Sequence, residues 1–548
     1  MKPCKVRSAV RGAEKGGIAA APIFPSAGAH LQLARIVVLG IGLLLLTRSV
    51  TGWFVGMHEV GTAAFSIWAR NHIQYGLGYT KLFCVWGEGA APPAEAQRYL
   101  DRPPLIAAWV ALPMLVFGEH EWVGRMVIIA ATLISTWILM VMVSRLQGEV
   151  LGWLSGLFYV ALPIVGYFGR VLQYETFAPV FSLLMLHGYL QWVHLYGREY
   201  SSRVGFFYYV VGNVLGIGSD WSPAVMAGLI GVHELCRWLA GRSSWRTMMW
   251  LTLTPGVCLG AVFLHILSGC DWDLRYLVEL FASRSFSNPI PWADWLARNW
   301  MILLWAFSAF GLAAAVIYLA LIPAILRLSN ADSPFRQIVP NGQSVVPVLL
   351  TGIQGLIWVV LFKRQSYIHE FWQYMLAPFV AVGLASIVVA AYVGLWRWSS
   401  RWAAWGFLVL LLVPMPSMTL RRDAYFNMFS DNIRLRNRMA AYVRLGELVP
   451  PRVAVMASEP CPPGDKIVLS RYRHQGPFPN LAYYMNRPVI PTTDLGQIEA
   501  HRNQFPAYVL ELMQAPDLQE LARQLAAKYA FIRVGNHHLI FDLTRRKG

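Results

Sequence analysis

Residues 99–118 read YLDRPPLIAAWVALPMLVFG, and they decide how the chain is threaded through its surroundings. The apolar part, 105–118, is shorter than the roughly 20 residues that a bilayer crossing needs. It follows two prolines and is interrupted by Pro113. Apolar runs of this length are more often interfacial or re-entrant than spanning. We therefore predict that residues 105–118 stay at one membrane surface.

The composition is that of a membrane protein. Of the 548 residues 56% are hydrophobic and 14% are charged, and the mean hydropathy is +0.45. Soluble globular chains carry about 25% charged residues. The net charge of +17 does not predict a nucleic-acid partner, because no basic motif is interleaved with aromatic residues. The scattered cysteines have neither metal-ligand nor disulfide-framework spacing, so no metal site is predicted.

The apolar segments predict a mainly α, polytopic helical membrane protein with about 11 spans. The spans are expected near 33–51, 123–144, 150–168, 176–195, 204–219, 221–236, 248–268, 299–326, 344–362, 371–395 and 402–418. If 105–118 does not cross and the amino terminus lies inside, the inner segments are rich in arginine and lysine and poor in acids. This agrees with the positive-inside rule. Counting 105–118 as a span would turn every later loop to the other side.

The same pattern divides the chain into three parts. Residues 1–32 are predicted to be a cytoplasmic tail before an uncleaved signal-anchor helix. Residues 33–419 form the transmembrane domain, with its first outer loop at 52–122. Residues 420–548 are charged and punctuated by prolines, which predicts a small extracytoplasmic α/β domain. Its expected elements are helices at 425–448 and 518–528, strands at 453–457, 467–470, 481–485 and 489–490, and a hairpin of 531–534 with 539–543.

With this threading the polar clusters all face the outer side. Glu59 and His58 follow the first span, where a carboxylate could take a proton from a hydroxyl. On these two residues alone an ordinary solvated pair is the favoured alternative. Arg102 precedes the two prolines. A guanidinium there suits a phosphate, and a snorkelling interface arginine is the alternative.

The other candidates have similar alternatives. Arg170 and Glu175 flank a tight outer turn, either as functional groups or as an ion pair with each other. Asp220 is favoured as a helix N-cap. Lys363, Arg364 and His369 form a basic cluster on an outer side otherwise poor in cations, which favours an anionic ligand. The 269–298 loop predicts an amphipathic helix that packs on the membrane surface, with a lid as the alternative.

Taken in order, these residues resemble glycosyltransferase family 39, a group of the GT-C class that includes protein O-mannosyltransferases and the aminoarabinose transferases of lipid A. The resemblance is clearest over 55–235. It is carried by His58-Glu59, Ala69-Arg70-Asn71, Asp101-Arg102-Pro103-Pro104, Phe117-Gly118 with Arg125, Tyr167-Phe168-Gly169-Arg170, Glu175 and Asp220-Trp221.

The resemblance implies a GT-C fold and transfer of a sugar from a polyprenyl-phosphate-linked donor, with inversion at the anomeric carbon. It puts Glu59 forward as the base, with His58 as runner-up and Glu175 as a second acidic position. Arg102 corresponds to the residue associated with the donor phosphate. The further expected site residues are Arg170, Lys363 and Arg364 for the phosphate, with Asp101, Arg125, Asp220 and His369 beside them.

Other readings stay open from the sequence. A transporter or flippase of a lipid-linked sugar is disfavoured because such proteins place charges near the midplane. A non-catalytic lipid-binding relative is a third hypothesis, since His58 departs from the acidic pair of the family. The expected partners are the lipid donor, membrane lipids and an acceptor that could be protein, lipid or glycan. The sequence indicates no cofactor with certainty and is compatible with a divalent cation, and a bacterial inner membrane is the expected location.

Overall fold

The structure is a computed structural model that describes residues 28–54, 56, 58–87, 92, 96–197, 200–284, 290–328, 345–398, 402–403, 406, 419–420, 433–449, 455–457, 483–484, 489–511, 516–534 and 538–547. The predicted tail up to residue 27, most of the expected span at 402–418 and the expected strand at 467–470 lie outside these residues.

Helices dominate the described chain up to residue 398, which confirms the mainly α prediction. They are α1 (Gly28–Leu46), α2 (Glu59–Gln74), α3 (Gly76–Thr80), α4 (Leu105–Phe117), α5 (Glu121–Gln147), α6 (Glu149–Ala161), α7 (Pro163–Phe168), α8 (Tyr174–Phe177), α9 (Pro179–Trp192), α10 (Ser202–Ser219), α11 (Ser222–Leu239), α12 (Trp245–Gly269), α13 (Leu274–Arg284), α14 (Trp292–Leu328), α15 (Val346–Leu361), α16 (Lys363–Ile368) and α17 (Ala377–Trp398). Two short strands, β1 (Cys84–Trp86) and β2 (Gln97–Tyr99), pair antiparallel in the first loop.

Several helices have the length and apolar composition of membrane spans. Four of the described helices qualify on both counts: Glu121–Gln147, Trp245–Gly269, Trp292–Leu321 and Glu370–Tyr392. Four shorter apolar helices are Gln32–Leu46, Leu105–Phe117, Glu149–Ala161 and Val346–Leu361. The chain is therefore an integral membrane protein, and the count of about 11 spans stays a prediction.

Helix α4 is the stretch on which the threading depends. Its 13 residues measure about 20 Å at the usual rise per residue, too short for a hydrocarbon core of about 30 Å. Ile106 and Val110 are buried, and α4 packs against α2. Its second half leaves Leu115 and Val116 exposed. The length and packing of α4 agree with a position at one surface.

Three predicted continuous spans are broken, and segments next to the breaks carry site residues. Helix α6 ends at Ala161 and α7 begins at Pro163, because a proline has no N–H to donate and clashes within a helix. Leu162 between them is extended. The expected span 176–195 likewise begins with the separate four-residue helix α8, and the expected span 371–395 begins with a 3₁₀ helix at Glu370–Leu376.

The carboxyl-terminal part contains a five-stranded mixed sheet of order β4-β3-β5-β7-β6. Its strands are β3 (Val455–Ala457), β4 (Val489–Pro491), β5 (Ala507–Glu511), β6 (Tyr529–Val534) and β7 (His538–Arg546). Strand β3 runs parallel to β4 and β5, and β7 is antiparallel to β5 and β6. The described helices of this part are Ile433–Leu448, Leu495–Ala500 and Pro516–Lys528.

Most of the predicted carboxyl-terminal elements are present. The hairpin of β6 with β7, the strand at 489–490 and the amphipathic helix near 518–528 were expected. The strand predicted at 481–485 is wrong, because Tyr483 and Tyr484 form a helical turn. Their rings pack instead against Phe54 of the first loop, with centroids 5.0 and 6.3 Å from its ring. Strand β5 was not predicted.

Candidate functional site

Arg102 is the centre of the first charged cluster. Its Nη1 donates to Asp220 Oδ1 and its Nη2 to Glu175 Oε1, each at 2.6 Å. The side chains of Glu175 and Asp220 are each 1% exposed and that of Arg102 is 8% exposed. Charge-assisted hydrogen bonds of this length are among the stronger polar contacts in proteins. The cluster joins the loop before α4, the short helix α8 and the start of α11.

Aromatic rings surround the same guanidinium. Its Cζ lies 4.9 Å from the ring centroid of Tyr174, 5.3 Å from that of Trp372 and 5.8 Å from that of Trp358. These distances permit cation–π attraction. Burial raises the pKa of Glu175, against the opposing effect of the Arg102 guanidinium. The structure thus holds an arginine between two acids and three rings.

The contacts of Asp220 and Arg170 distinguish between the alternatives that the sequence left open for each residue. Asp220 Oδ2 accepts from the Ser222 N–H at 3.1 Å, so Asp220 both anchors the start of α11 and binds Arg102. The expected mutual pair of Arg170 with Glu175 is not formed, since Glu175 binds Arg102. Arg170 Nη1 instead donates to the carbonyl of Arg48 at 2.6 Å.

A cavity of about 570 Å³ opens beside Arg102. Asp101 and Arg102 are the charged residues of its lining, and the remainder is apolar or aromatic. The lining comes from the loop before α4 and from α11, α12, α13, α15 and the 3₁₀ helix: Leu100, Asp101, Arg102, Trp221, Ala224, Val225, Phe263, Ile266, Leu274, Leu277, Val278, Phe281, Ala282, Trp358, Leu361, Phe362 and Trp372. The amphipathic helix expected in the 269–298 loop is α13, and it forms one wall.

Glu59 and Arg125 form a second buried pair. Glu59 Oε1 accepts from Arg125 Nε at 3.1 Å and from Nη2 at 2.8 Å, and Oε2 accepts from the Gly56 N–H at 2.9 Å. Arg125 also donates to the carbonyls of Val50, Gly52 and Trp53. The pair therefore ties α5 to the beginning of the first loop.

His58 belongs to a third cluster that the sequence did not predict. Its Nε2 lies 2.9 Å from Glu370 Oε2, and Arg298 Nη2 donates to Glu370 Oε1 at 2.6 Å. Glu370 and Arg298 were missed as site residues. The available signal was an acid at the first residue of an apolar span, since such acids are costly unless they are paired or functional.

The remaining candidates have individual contacts. Asp101 Oδ1 accepts from the Tyr276 hydroxyl at 3.4 Å. Lys363 Nζ donates to the carbonyl of Ile290 and lies 4.1 Å from the Trp292 ring centroid. The His369 ring is 5.4 Å from that of His58. Arg364, the remaining candidate, is partly buried in α16.

The residues that the structure describes contain no candidate metal site. Among them, no group of three or more His, Cys, Asp or Glu side chains is placed to hold a metal ion.

Residues 101–267 match the family described as dolichyl-phosphate-mannose-protein mannosyltransferase. This match agrees with the resemblance to the GT-C glycosyltransferases that the sequence predicted. No significant match is found among curated proteins.

Solved structures show the same fold. ArnT from Cupriavidus metallidurans bound to undecaprenyl phosphate is similar with a TM-score of 0.59 and 13% identity, over 94% of this chain and 98% of that chain. The Archaeoglobus fulgidus oligosaccharyltransferase in the apo form gives 0.57 and 9% identity, over 93% and 74%. AglB from Archaeoglobus fulgidus, in complex with an inhibitory peptide and a dolichol-phosphate, gives 0.52 and 10% identity, over 92% and 74%.

Proposed function

We propose that this protein transfers a sugar from a polyprenyl-phosphate-linked donor to an acceptor hydroxyl or phosphate at the outer face of the membrane, with inversion. The observation that carries the proposal is that Arg102, beside Asp101, lines an otherwise apolar cavity. The isoprenoid chain of such a lipid is apolar and suits the apolar lining of the cavity. Its phosphodiester is anionic and suits the Arg102 guanidinium.

Arg102 has donors to spare for a phosphate. A guanidinium carries five N–H donors, and the bonds to Glu175 and Asp220 use one on each terminal nitrogen. The two carboxylates fix the plane of the guanidinium, and this limits the entropy lost when a phosphate binds. The sugar–phosphate bond then breaks with the negative charge developing beside a cation, which stabilises the transition state.

We assign the donor phosphate to Arg102 ahead of the other cations predicted for it. Arg170 donates to a backbone carbonyl at the end of α1, and Lys363 donates to the carbonyl of Ile290. Both contacts hold the backbone in place. Arg102 is also the one of the three that lines the cavity.

The proposed orientation of the chain in the membrane is based on the distribution of its charged residues. The excess of arginine and lysine on the predicted inner loops supports a cytoplasmic tail over 1–32 and an extracytoplasmic α/β domain over 420–548. In a bacterial inner membrane that domain is periplasmic. It reaches the first loop through Tyr484, whose hydroxyl accepts from the Phe54 N–H at 2.7 Å. The acceptor, whether protein, lipid or glycan, is proposed to enter from this side.

The test is release of undecaprenyl phosphate by the purified protein in detergent. Undecaprenyl-phosphate-linked mannose, glucose and aminoarabinose are offered as labelled donors, with cell-envelope extract supplying acceptors. We expect Arg102→Ala to lower release by at least about 100-fold and to abolish stabilisation by undecaprenyl phosphate, with Arg102→Lys partly active. Arg444→Ala removes an arginine from an exposed pair with Glu447, whose two side chains are 53% and 56% exposed, and serves as the control.

The result also separates the rival functions. A flippase would move the intact lipid-linked sugar between leaflets of a vesicle and release no undecaprenyl phosphate. A lipid-binding relative without activity would be stabilised by undecaprenyl phosphate and turn over none of the donors. Undiminished release by Arg102→Ala would contradict the assignment of the phosphate.

A further inference from the structure

We infer that His58 accepts the proton of the incoming acceptor and that Glu370 is the residue that positions it. The inference rests on the proposed function and assigns roles in it to these two side chains. Glu370 lies 312 residues from His58 in sequence, yet their side chains meet at 2.9 Å. A base held by a carboxylate is a recurrent device for fixing the tautomer of an imidazole.

The contacts of the His58 ring leave one nitrogen for chemistry. Nε2 faces Glu370 Oε2, so the neutral ring carries its proton there and Nδ1 keeps a lone pair. Within the described part of the chain, Nδ1 has no hydrogen-bond partner and is not among the buried unpartnered atoms. The side chain of His58 is 18% exposed. An acceptor hydroxyl can therefore reach Nδ1.

Glu370 is held independently of His58. Its Oε1 accepts from Arg298 at 2.6 Å, and its side chain is only 10% exposed. When His58 takes up a proton, the new positive charge lies beside a carboxylate that is already fixed. Preorganised charge of this kind lowers the cost of forming the imidazolium.

Glu59 is placed less well for the same task. Both of its oxygens already accept hydrogen bonds, from Arg125 and from the Gly56 N–H, and its side chain is 8% exposed. Three of the roughly four lone-pair sites of the carboxylate are therefore occupied, which leaves little room for the proton of an incoming hydroxyl. Its contacts suit an anchor for the loop that carries His58.

The backbone of His58 is strained, and the strain is supported. Its φ of 61° and ψ of 6° lie in the left-handed region that non-glycine residues rarely adopt. Gln173 Nε2 donates to its carbonyl at 2.8 Å. Gln173 precedes α8, the helix that carries Glu175 of the Arg102 cluster. Strain kept in place by neighbours is typical of functional positions.

In the proposed step each bond that forms is matched by a bond that breaks. The acceptor oxygen forms a bond to the anomeric carbon on the face opposite the lipid phosphate, and its proton passes to Nδ1 of His58. The bond from the anomeric carbon to the phosphate oxygen breaks, and its electron pair leaves with the polyprenyl phosphate. The products are the glycosylated acceptor, the lipid phosphate and an imidazolium paired with Glu370, which later returns its proton to water.

The test is a double-mutant cycle on undecaprenyl-phosphate release. We expect His58→Ala to lower kcat by about 100-fold or more, with stabilisation by undecaprenyl phosphate retained. His58→Asp should restore part of the rate, with the acid limb of the pH–rate profile moved to lower pH because a carboxylate has replaced the imidazole. Glu370→Gln should lower kcat at least about tenfold in the wild-type background.

The decisive comparison is Glu370→Gln in the His58→Asp background. If Glu370 acts through the imidazole, the substitution costs much less there than in the wild type. An equal loss in both backgrounds would show a structural role and overturn the inference, as would full turnover by His58→Ala. Glu149→Gln, which removes a carboxylate paired with Arg35, is the control. An inactive wild type would count against the proposed function itself, whereas an active wild type with an active His58→Ala would count against this inference alone.

Discussion

Replacing Glu59 by glutamine separates its two possible roles, anchor and base. The side chains of Glu59 and Arg125 are 8% and 2% exposed. Breaking a buried ion pair by removing one charge costs about 3–5 kcal/mol, because the other charge is left without its partner. Arg125 would keep its three backbone carbonyl acceptors. We therefore expect a loss of about 3 kcal/mol in the free energy of unfolding, at the lower end of that range.

The assay is unfolding in dodecyl maltoside micelles titrated with SDS and followed by tryptophan fluorescence, beside undecaprenyl-phosphate release. Glu447→Gln is the matched control, since its carboxylate pairs with Arg444 at 2.7 Å and is 56% exposed. Exposed pairs contribute less than about 1 kcal/mol. Glu59→Gln should lose stability while the folded fraction still turns over the donor.

Two results would refute this reasoning in different ways. A Glu59→Gln variant as stable as the wild type would show that the pair does not anchor the loop. A variant that is folded and stabilised by undecaprenyl phosphate, yet inactive, would support Glu59 as the base, as the family resemblance implies.

Three further predictions follow from single contacts. Burial raises the pKa of the Glu175 carboxyl above its ordinary 4.5, so the folded state binds the carboxyl proton more tightly than the unfolded state does. The free energy of unfolding therefore falls as the pH rises from about 4.5. Glu175→Gln should flatten this fall, as apparent melting temperatures measured across pH would show. A Cβ added at Gly61 would lie 1.9 Å from Gln173 Nε2, so Gly61→Ala should displace Gln173 from the His58 carbonyl and lower kcat more than it weakens donor binding, as steady-state kinetics would show. Phe281 lines the cavity and is 52% exposed, so Phe281→Ala should weaken undecaprenyl phosphate binding by up to about tenfold, or about 1.4 kcal/mol, with little change in the melting temperature without lipid.

The helices were predictable because they depend on local properties. Apolar runs mark the helices, and the short length of residues 105–118 together with Pro113 indicated a surface position. The break at Leu162 was also within reach, because Pro163 cannot continue a helix. Its significance was not, since only the folded chain shows that α7, which follows the break, brings the Phe168 ring to 6.0 Å from the His58 ring.

The sequence could not predict which charged side chains pair with each other. Arg102 and Asp220 are 118 residues apart, and nothing in their spacing indicates that they meet. Arg170 and Glu175 are near neighbours in sequence, which favoured a pair that the structure does not contain. An ion pair is decided by tertiary packing, so sequence distance was a poor guide in both cases.

Two short elements connect the donor cluster with the proposed base, and this connection has a functional consequence. Helix α8 carries Glu175 and contacts the 3₁₀ helix Glu370–Leu376. That 3₁₀ helix presents Trp372 to the Arg102 guanidinium and Glu370 to His58. A phosphate bound by the remaining donors of Arg102 that shifts the guanidinium also shifts the Trp372 ring packed on its face. Because interiors are close-packed and transmit small displacements, donor binding and the position of His58 should be coupled through these two turns.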